Sequence, residues 1–369
     1  MPIIFIAHRL AEPKTGGEIC NKMITSAAIG DTFEVWESKD IPHKGLLSRL
    51  PFSGRIVANL HFSRKAFNIP TGSIILFDTD FSQYLFFAIW VLKYLRSARI
   101  VAICHHLRSS VGGVGIKGRF TRFFEKATAR STGFLITVSA FSLKSFLDLG
   151  AKPAKQWIIS PPIASPPAFR ESVAASDNRI RFLTVATLEK RKNYLGMIWA
   201  ISRMDFPFVW RIAGSPQDGQ LHAEMAQLVS ELALDDKIEI LGRVSEDALR
   251  ELYAHSDIFY MVSFIEGFGI VYGEAMSYGM PIIASRTGAT PELVTDGVNG
   301  LLCDPESIDD MAAKIRLVCG EKALRERMRL SNLEKSRSFQ TTQGFIEQAG
   351  RALQEIISAE SPKAKVAAG

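Results

Sequence analysis

Short apolar runs alternate with amphipathic stretches along the whole chain, a spacing that predicts strands alternating with helices in parallel α/β sheets. In the first half, residues 3–7, 56–60, 73–77, 99–104 and 134–138 read as strands, each short and rich in β-branched or aromatic side chains. Helical patterns fill the gaps at 17–28, 82–95, 118–129 and 140–149. The stretch Ser160-Pro-Pro-Ile-Ala-Ser-Pro-Pro, continuing through 172–178, is rich in proline and small polar residues, as a linker should be. A second alternation follows, with strands at 181–186, 208–213, 238–241, 258–261 and 281–284. Its helices are expected at 194–203, 220–234, 245–255, 269–278, 308–319 and 322–336. The pattern predicts two doubly wound, Rossmann-like domains, 1–165 and 166–340. Residues 341–369 then form a helix returning toward the first domain and a short tail. Ligands of such sheets sit beyond the carboxyl ends of the strands, so two facing domains predict a cleft between them.

At 369 residues, 47% hydrophobic and 22% charged, the chain exceeds one ordinary core, which agrees with two domains. Cys20, Cys104, Cys303 and Cys319 are scattered with no C-x-x-C pair, so neither a zinc site nor a disulfide framework is expected, and a cytoplasmic location fits. The opening Met-Pro-Ile-Ile-Phe-Ile-Ala lacks the basic lead of a signal peptide, and the longest apolar run, 84–92, falls short of the roughly twenty residues a bilayer span needs. Charge is uneven. Residues 1–165 carry 21 Lys and Arg against 10 Asp and Glu, a balance of +11, whereas 166–369 carry 23 against 28, a balance of −5. The basic half is expected to meet something anionic, such as a membrane leaflet or a lipid-linked diphosphate. In Lys117-Gly-Arg-Phe-Thr-Arg-Phe-Phe-Glu-Lys, cations alternate with Phe120, Phe123 and Phe124, a pattern that suits either a helix in a lipid interface or a solvated helix with an apolar core face. No nucleic-acid module is present, so that partner is not expected.

The stretch with the most chemistry runs Phe264-Ile-Glu-Gly-Phe-Gly-Ile-Val-Tyr-Gly-Glu-Ala-Met-Ser-Tyr-Gly-Met-Pro, then Thr287-Gly-Ala-Thr-Pro-Glu-Leu-Val. Two carboxylates, Glu266 and Glu274, flank a glycine-spaced turn into a helix. A helix start offers unpaired N–H groups and a positive dipole end, a natural seat for phosphate, while a carboxylate further along suits hydroxyls. Diphosphate plus hydroxyls describes a nucleotide sugar. This spacing resembles the donor-site signature of retaining nucleotide-sugar glycosyltransferases of the GT-B fold, family-four type. The resemblance implies that Glu266 faces the transferred sugar, that Glu274 holds the ribose hydroxyls, and that the amides of Phe268, Gly269 and Ile270 contact sugar and diphosphate.

Other segments carry the same likeness. Lys14-Thr-Gly-Gly-Glu resembles the family's glycine-rich loop, in which Gly16 and Gly17 admit the donor diphosphate. Leu188-Glu-Lys-Arg-Lys-Asn resembles its second-domain basic clamp, implying Arg191 and Lys192 as diphosphate ligands. Ile103-Cys-His-His-Leu places His105 where the family's histidine reaches the sugar, with His106 a departure from the pattern. Thr137-Val-Ser-Ala-Phe-Ser resembles a turn whose serine caps the next helix. Gly113-Val-Gly-Ile-Lys-Gly matches a dinucleotide fingerprint but opens no first βα unit, so it reads as a loop near the acceptor entrance. Asp78-Thr-Asp80 looks like the metal-binding D-x-D of GT-A transferases, an alternative mechanism.

The resemblance therefore implies transfer of a hexose, mannose or glucose, from a UDP- or GDP-sugar to a glycan or lipid-linked acceptor with retention, in cell-surface polysaccharide, lipopolysaccharide or glycolipid synthesis. Glu266, His105 and Lys192 are the expected catalytic residues, with no cofactor and no metal. Peripheral attachment to the inner face of the membrane and acceptor loops at 41–54 and 108–118 complete the expectation. A catalytically inactive nucleotide-sugar scaffold is the alternative from another class.

Overall fold

The structure, a computed structural model, describes residues 2–7, 15–27, 33–37, 53–110, 116–164, 178–216 and 219–359. Lys14, most of the 41–54 loop, residues 113–115 of the glycine-rich motif, the linker at 165–177 and the tail from 360 lie outside the described residues. The chain divides into two compact units, Met1–Pro161 with Thr342–Gly369, and Pro162–Thr341.

The first unit holds six parallel strands, β1 (Ile3–Ala7), β2 (Phe33–Glu37), β3 (Ile74–Asp78), β4 (Arg99–Cys104), β5 (Phe134–Thr137) and β6 (Lys155–Ile158), in the order β2-β1-β3-β4-β5-β6. β1, β3, β4 and β5 are buried along their whole length, as expected of parallel strands covered on both faces. Helices α1 (Gly16–Ala27), α2 (Ser53–Phe67), α3 (Ser82–Trp90), α4 (Ile116–Ser131) and α5 (Ala140–Leu147) connect them. One expectation is corrected. Residues 56–60 are not a strand but part of α2, where Ala58, Phe62 and Ala66 recur at helical spacing and Phe62 stacks on Trp36 at 5.9 Å. Gly16 and Gly17 form the first turn of α1, in line with the helix expected from residue 17. Thr15 and Glu18 cap that turn reciprocally: the Thr15 amide donates to Glu18 Oε2 at 3.1 Å and the Glu18 amide to Thr15 Oγ1 at 3.3 Å. Ser139 caps α5, accepting from the Ser142 amide at 3.0 Å.

The second unit repeats the plan with β7 (Ile180–Val185), β8 (Phe208–Ala213), β9 (Ile238–Gly242), β10 (Ile258–Met261), β11 (Ile282–Ser285) and β12 (Gly300–Cys303), in the order β12-β11-β10-β7-β8-β9 and all parallel. Its helices are α6 (Tyr194–Ile201), α7 (Gly219–Glu231), α8 (Glu246–Ala254), α9 (Ile270–Ser277), the short α10 (Thr290–Leu293), α11 (Ile308–Gly320) and α12 (Lys322–Ser336). A continuous core including Trp210, Tyr260 and Tyr272 fills the space between sheet and helices. The last helix, α13 (Thr342–Ser358), packs on α1 of the first unit, burying Phe345, Ala349, Ala352, Leu353 and Ile356 along one face. The Arg99 guanidinium closes its carboxyl end, donating to the carbonyls of Ile356 and Ile357 at 3.1 and 2.8 Å.

Candidate active site

In the second sheet the strand order reverses between β7 and β10, so the loops after these two strands diverge and leave room for a ligand at their carboxyl ends. Both loops carry charge. After β7, Lys190–Lys192 form a tight turn ended by Asn193 in the left-handed conformation (φ 57°), whose side-chain amide donates to the Pro305 carbonyl at 2.7 Å. Tyr194 donates its hydroxyl to the Ala186 carbonyl at 2.9 Å, tying the loop to the start of α6. After β10 the chain brings Glu266 onto this turn. Lys192 Nζ lies 2.6 Å from Glu266 Oε1, and Arg191 Nη1 lies 3.2 Å from Glu266 Oε2. The other Arg191 arm reaches Glu189 Oε1 at 3.0 Å. The Phe264 amide donates to the Arg191 carbonyl at 2.8 Å, locking the two loops together, and the Ala289 amide, beyond β11, donates to the Glu266 carbonyl at 2.9 Å.

Lys192 and Glu266 are each only 6% exposed, so these charges are held largely away from water. Burial alone would raise the Glu266 carboxyl, but the ammonium of Lys192 and the guanidinium of Arg191 outweigh it and bring it down to about 2. Burial pulls the Lys192 ammonium below its ordinary value, against the attraction of Glu266, while Arg191 is raised because its two carboxylates overcome its own burial. Two cations and two carboxylates thus sit balanced, with both Glu266 oxygens occupied by cations.

Beside them starts α9. Gly269 precedes it with φ 90°, a conformation open to glycine, and a Cβ there would meet the Tyr272 ring at 2.5 Å. No side chain caps this helix, and since the Tyr272 amide donates to the Gly269 carbonyl at 3.0 Å, the amides ahead of it, Ile270 among them, are the ones an anion could engage. Glu274, further along α9, accepts the Tyr253 hydroxyl at 2.7 Å, and burial raises its carboxyl above the ordinary value. Tyr253 is itself held between Tyr278 and Phe259, stacked at 5.2 and 6.2 Å.

The first sheet reverses between β1 and β3. His105, just beyond β4, lies against Gly17, where a Cβ would meet the imidazole Cδ2 at 3.2 Å, so the glycine is what lets α1 approach the ring. His105 Nε2 is 2.9 Å from Asn21 Oδ1, and Asn21 Nδ2 donates to Asp78 Oδ2 at 2.6 Å. Burial lowers His105 to about 4, against the pull of Asp80, so the ring is neutral near pH 7. A carboxylate can only accept, which fixes the Asn21 amide with its oxygen toward the ring. The imidazole proton therefore sits on Nε2. Burial, helped by Asp80, raises Asp78 to about 6. Asp78 Oδ1 accepts from the Asp80 amide at 2.9 Å, and Asp80 faces Arg108 at 3.5 Å. Among the described residues no group of three His, Cys, Asp or Glu is placed to hold a metal ion; within the D-x-D, Asp78 caps the short helix that follows and Asp80 pairs with Arg108. The carbonyl of His106 accepts from Thr79 Oγ1 at 3.4 Å.

Sequence reasoning missed Asn21 and Tyr253, which make these contacts from distant segments, and Glu189, which sits two residues from Arg191 in the same turn. Asn21 stands four residues after Gly17 and so shares its helix face, a signal that was open to use.

The family model for glycosyl transferases group 1 matches residues 166–333. Over that span the chain is similar to this family. The D-inositol 3-phosphate glycosyltransferase of Kribbella flavida is 28% identical over 206 residues, which are 52% of this chain and 49% of that protein. The O-antigen chain mannosyltransferase B of Escherichia coli is 32% identical over 163 residues, 42% of this chain and 41% of that one. The chain thus spans about half the length of the curated relatives it matches. Anabaena HepE, solved in complex with UDP-glucose, superposes with a TM-score of 0.71 at 16% identity, covering 96% of this chain and all of that one. The two Rossmann-like units make this a GT-B fold.

Proposed function

We propose that the protein is a retaining hexosyltransferase that moves a sugar from a nucleoside diphosphate donor to a glycan or lipid-linked acceptor. The observation that carries this is the Lys192–Glu266–Arg191 cluster at the switch point of the second sheet, beside the uncapped start of α9. Cations and helix N–H groups converge where a diphosphate would sit, and Glu274 lies along the same helix for the ribose. In the first unit, Gly16, Gly17 and neutral His105 are the candidates for contact with diphosphate and sugar. UDP-glucose in the HepE complex supports a nucleoside diphosphate hexose as the donor, and the mannosyltransferase relative supports a hexose as the transferred group, with UDP and GDP the bases to compare. The same relative's O-antigen substrate favours cell-surface polysaccharide or lipopolysaccharide synthesis.

Breaking the bond from the anomeric carbon to the phosphate oxygen leaves negative charge on the diphosphate, which Lys192, Arg191 and the amides of Phe268, Gly269 and Ile270 stabilise without a metal. Glu266, weakly basic at a pKa of about 2 and bound by two cations, is poorly suited to act as a covalent nucleophile. Its part is to orient Lys192 and Arg191 and to face the positive charge growing on the sugar. The acceptor oxygen attacks on the face the leaving group departs from, and its proton passes to a leaving phosphate oxygen, so configuration is retained. The test is a donor panel of UDP- and GDP-hexoses read by nucleotide release. Turnover with one donor that Lys192→Ala abolishes is expected. Nucleotide binding without release in the presence of glycan and lipid-linked acceptors would assign the chain to the inactive scaffold.

A further inference from the structure

Three neighbouring helices of the first unit present apolar side chains to solvent. On α3 and the turn that follows it, Phe87, Trp90 and Tyr94 recur at helical spacing and are more than half exposed. On α4, Phe120 and Phe123 are 50% and 58% exposed. Phe86 bridges the two helices, its ring 6.3 Å from Phe123 and 5.9 Å from Phe124. α2 packs against α3 and adds Leu60 and Phe67, seven residues apart and so on one face. Contiguous exposed aromatics of this kind mark an interaction surface.

The charge on the same helices names the partner. Residues 53–67, 82–95 and 116–131 contain nine Lys and Arg, including Arg64, Arg119, Arg122 and Lys126, and one acidic residue, Glu125. Glu125 is turned inward, 3% exposed, where it accepts the Ser109 amide at 3.2 Å. The face therefore offers cations and aromatic rings with no outward carboxylate. A second copy of this face would be repelled by it, whereas anionic headgroups over an acyl interface match both features. No helix among the described residues is long and apolar enough to cross a membrane, so contact of this sort lies on the surface.

We propose that the face formed by α2, α3 and α4 docks the protein on an anionic lipid bilayer, the aromatic rings entering the interface and the arginines and lysines pairing with headgroups. This gives the lipid-linked acceptor of the proposed function its location, and rests on that reading only for its purpose. The test uses the full chain with vesicles of phosphatidylcholine alone or with one third phosphatidylglycerol, read by co-sedimentation. Binding to the anionic vesicles that weakens with salt is expected. Arg119→Ala and Arg122→Ala should each lower partitioning about fivefold, and Phe87→Ser with Trp90→Ser and Phe123→Ser should abolish it, with nucleotide affinity unchanged as evidence of folding. Equal partitioning to both vesicles, or variants that bind like wild type, would overturn the proposal. So would a dimer in vesicle-free solution that the aromatic substitutions dissolve, since the face would then belong to a second copy. Vesicle binding that fails while donor turnover persists removes only the docking face, and turnover that fails while docking persists removes only the transferase assignment.

Discussion

Replacing Glu266 by glutamine tests whether the buried charge cluster organises the second unit. The carboxylate holds Lys192 at 2.6 Å and Arg191 at 3.2 Å, and glutamine keeps the shape while deleting the charge both cations share. A carboxyl brought from its ordinary 4.5 to about 2 contributes about 3 kcal/mol at neutral pH. Breaking one side of a buried pair costs about 3–5 kcal/mol by a separate line of argument, so the two agree. For a unit of 180 residues, a loss of about 3 kcal/mol lowers the melting temperature by about 6–12 °C. Because the folded pKa is depressed, the contribution is complete above 4.5 and fades as pH falls toward about 2. The gap between wild type and Glu266→Gln should close over that window. Differential scanning calorimetry with and without UDP or GDP reads all of this. The variant should gain more from the nucleotide than wild type, since two cations are left without their carboxylate, while transfer falls. A melting temperature within about a degree of wild type at pH 7 would refute the reasoning.

Two further outcomes follow from contacts that sequence reasoning did not name. Asn21→Asp places a carboxylate 2.9 Å from the His105 ring and at hydrogen-bond distance from Asp78, so the two acids should share a proton and the titrations of the ring and of Asp78, followed by NMR, should both rise from about 4 and about 6; two unmoved titrations would deny the contact. Tyr253→Phe removes the hydroxyl that steadies Glu274, and the donor KM should rise about tenfold with kcat nearly constant, as for a lost hydrogen bond to a charged group. A fall in kcat at unchanged KM would place Tyr253 in the chemical step instead.

What the sequence disclosed depended on how local the signal was. The strands β1, β3, β4, β7, β8 and β10 are mainly apolar runs, interrupted only by single polar residues such as Arg181 in β7 and Arg211 in β8, and the alternation of such runs with helical stretches finds them. α2 escaped because Ile56-Val57 carries strand propensity, whereas packing of Ala58, Phe62 and Ala66 decides for helix. β2, with Glu34 and Glu37, and the exposed edge strand β6, with Lys155 and Gln156, lack an apolar run altogether. The residues around Glu266 and Gly269 were legible because one contiguous segment carries them. The Lys192–Glu266 contact and the His105–Asn21–Asp78 chain were not, since strand order alone brings residues 74 and 57 positions apart together.

The most direct measurement is calorimetric titration of UDP and GDP into the wild type and into Lys192→Ala. If Lys192 and the start of α9 hold the donor diphosphate, one nucleotide binds the wild type and its affinity falls about a hundredfold in the variant, as expected for a charged contact to phosphate. Equal affinity of wild type and Lys192→Ala for the bound nucleotide would contradict it.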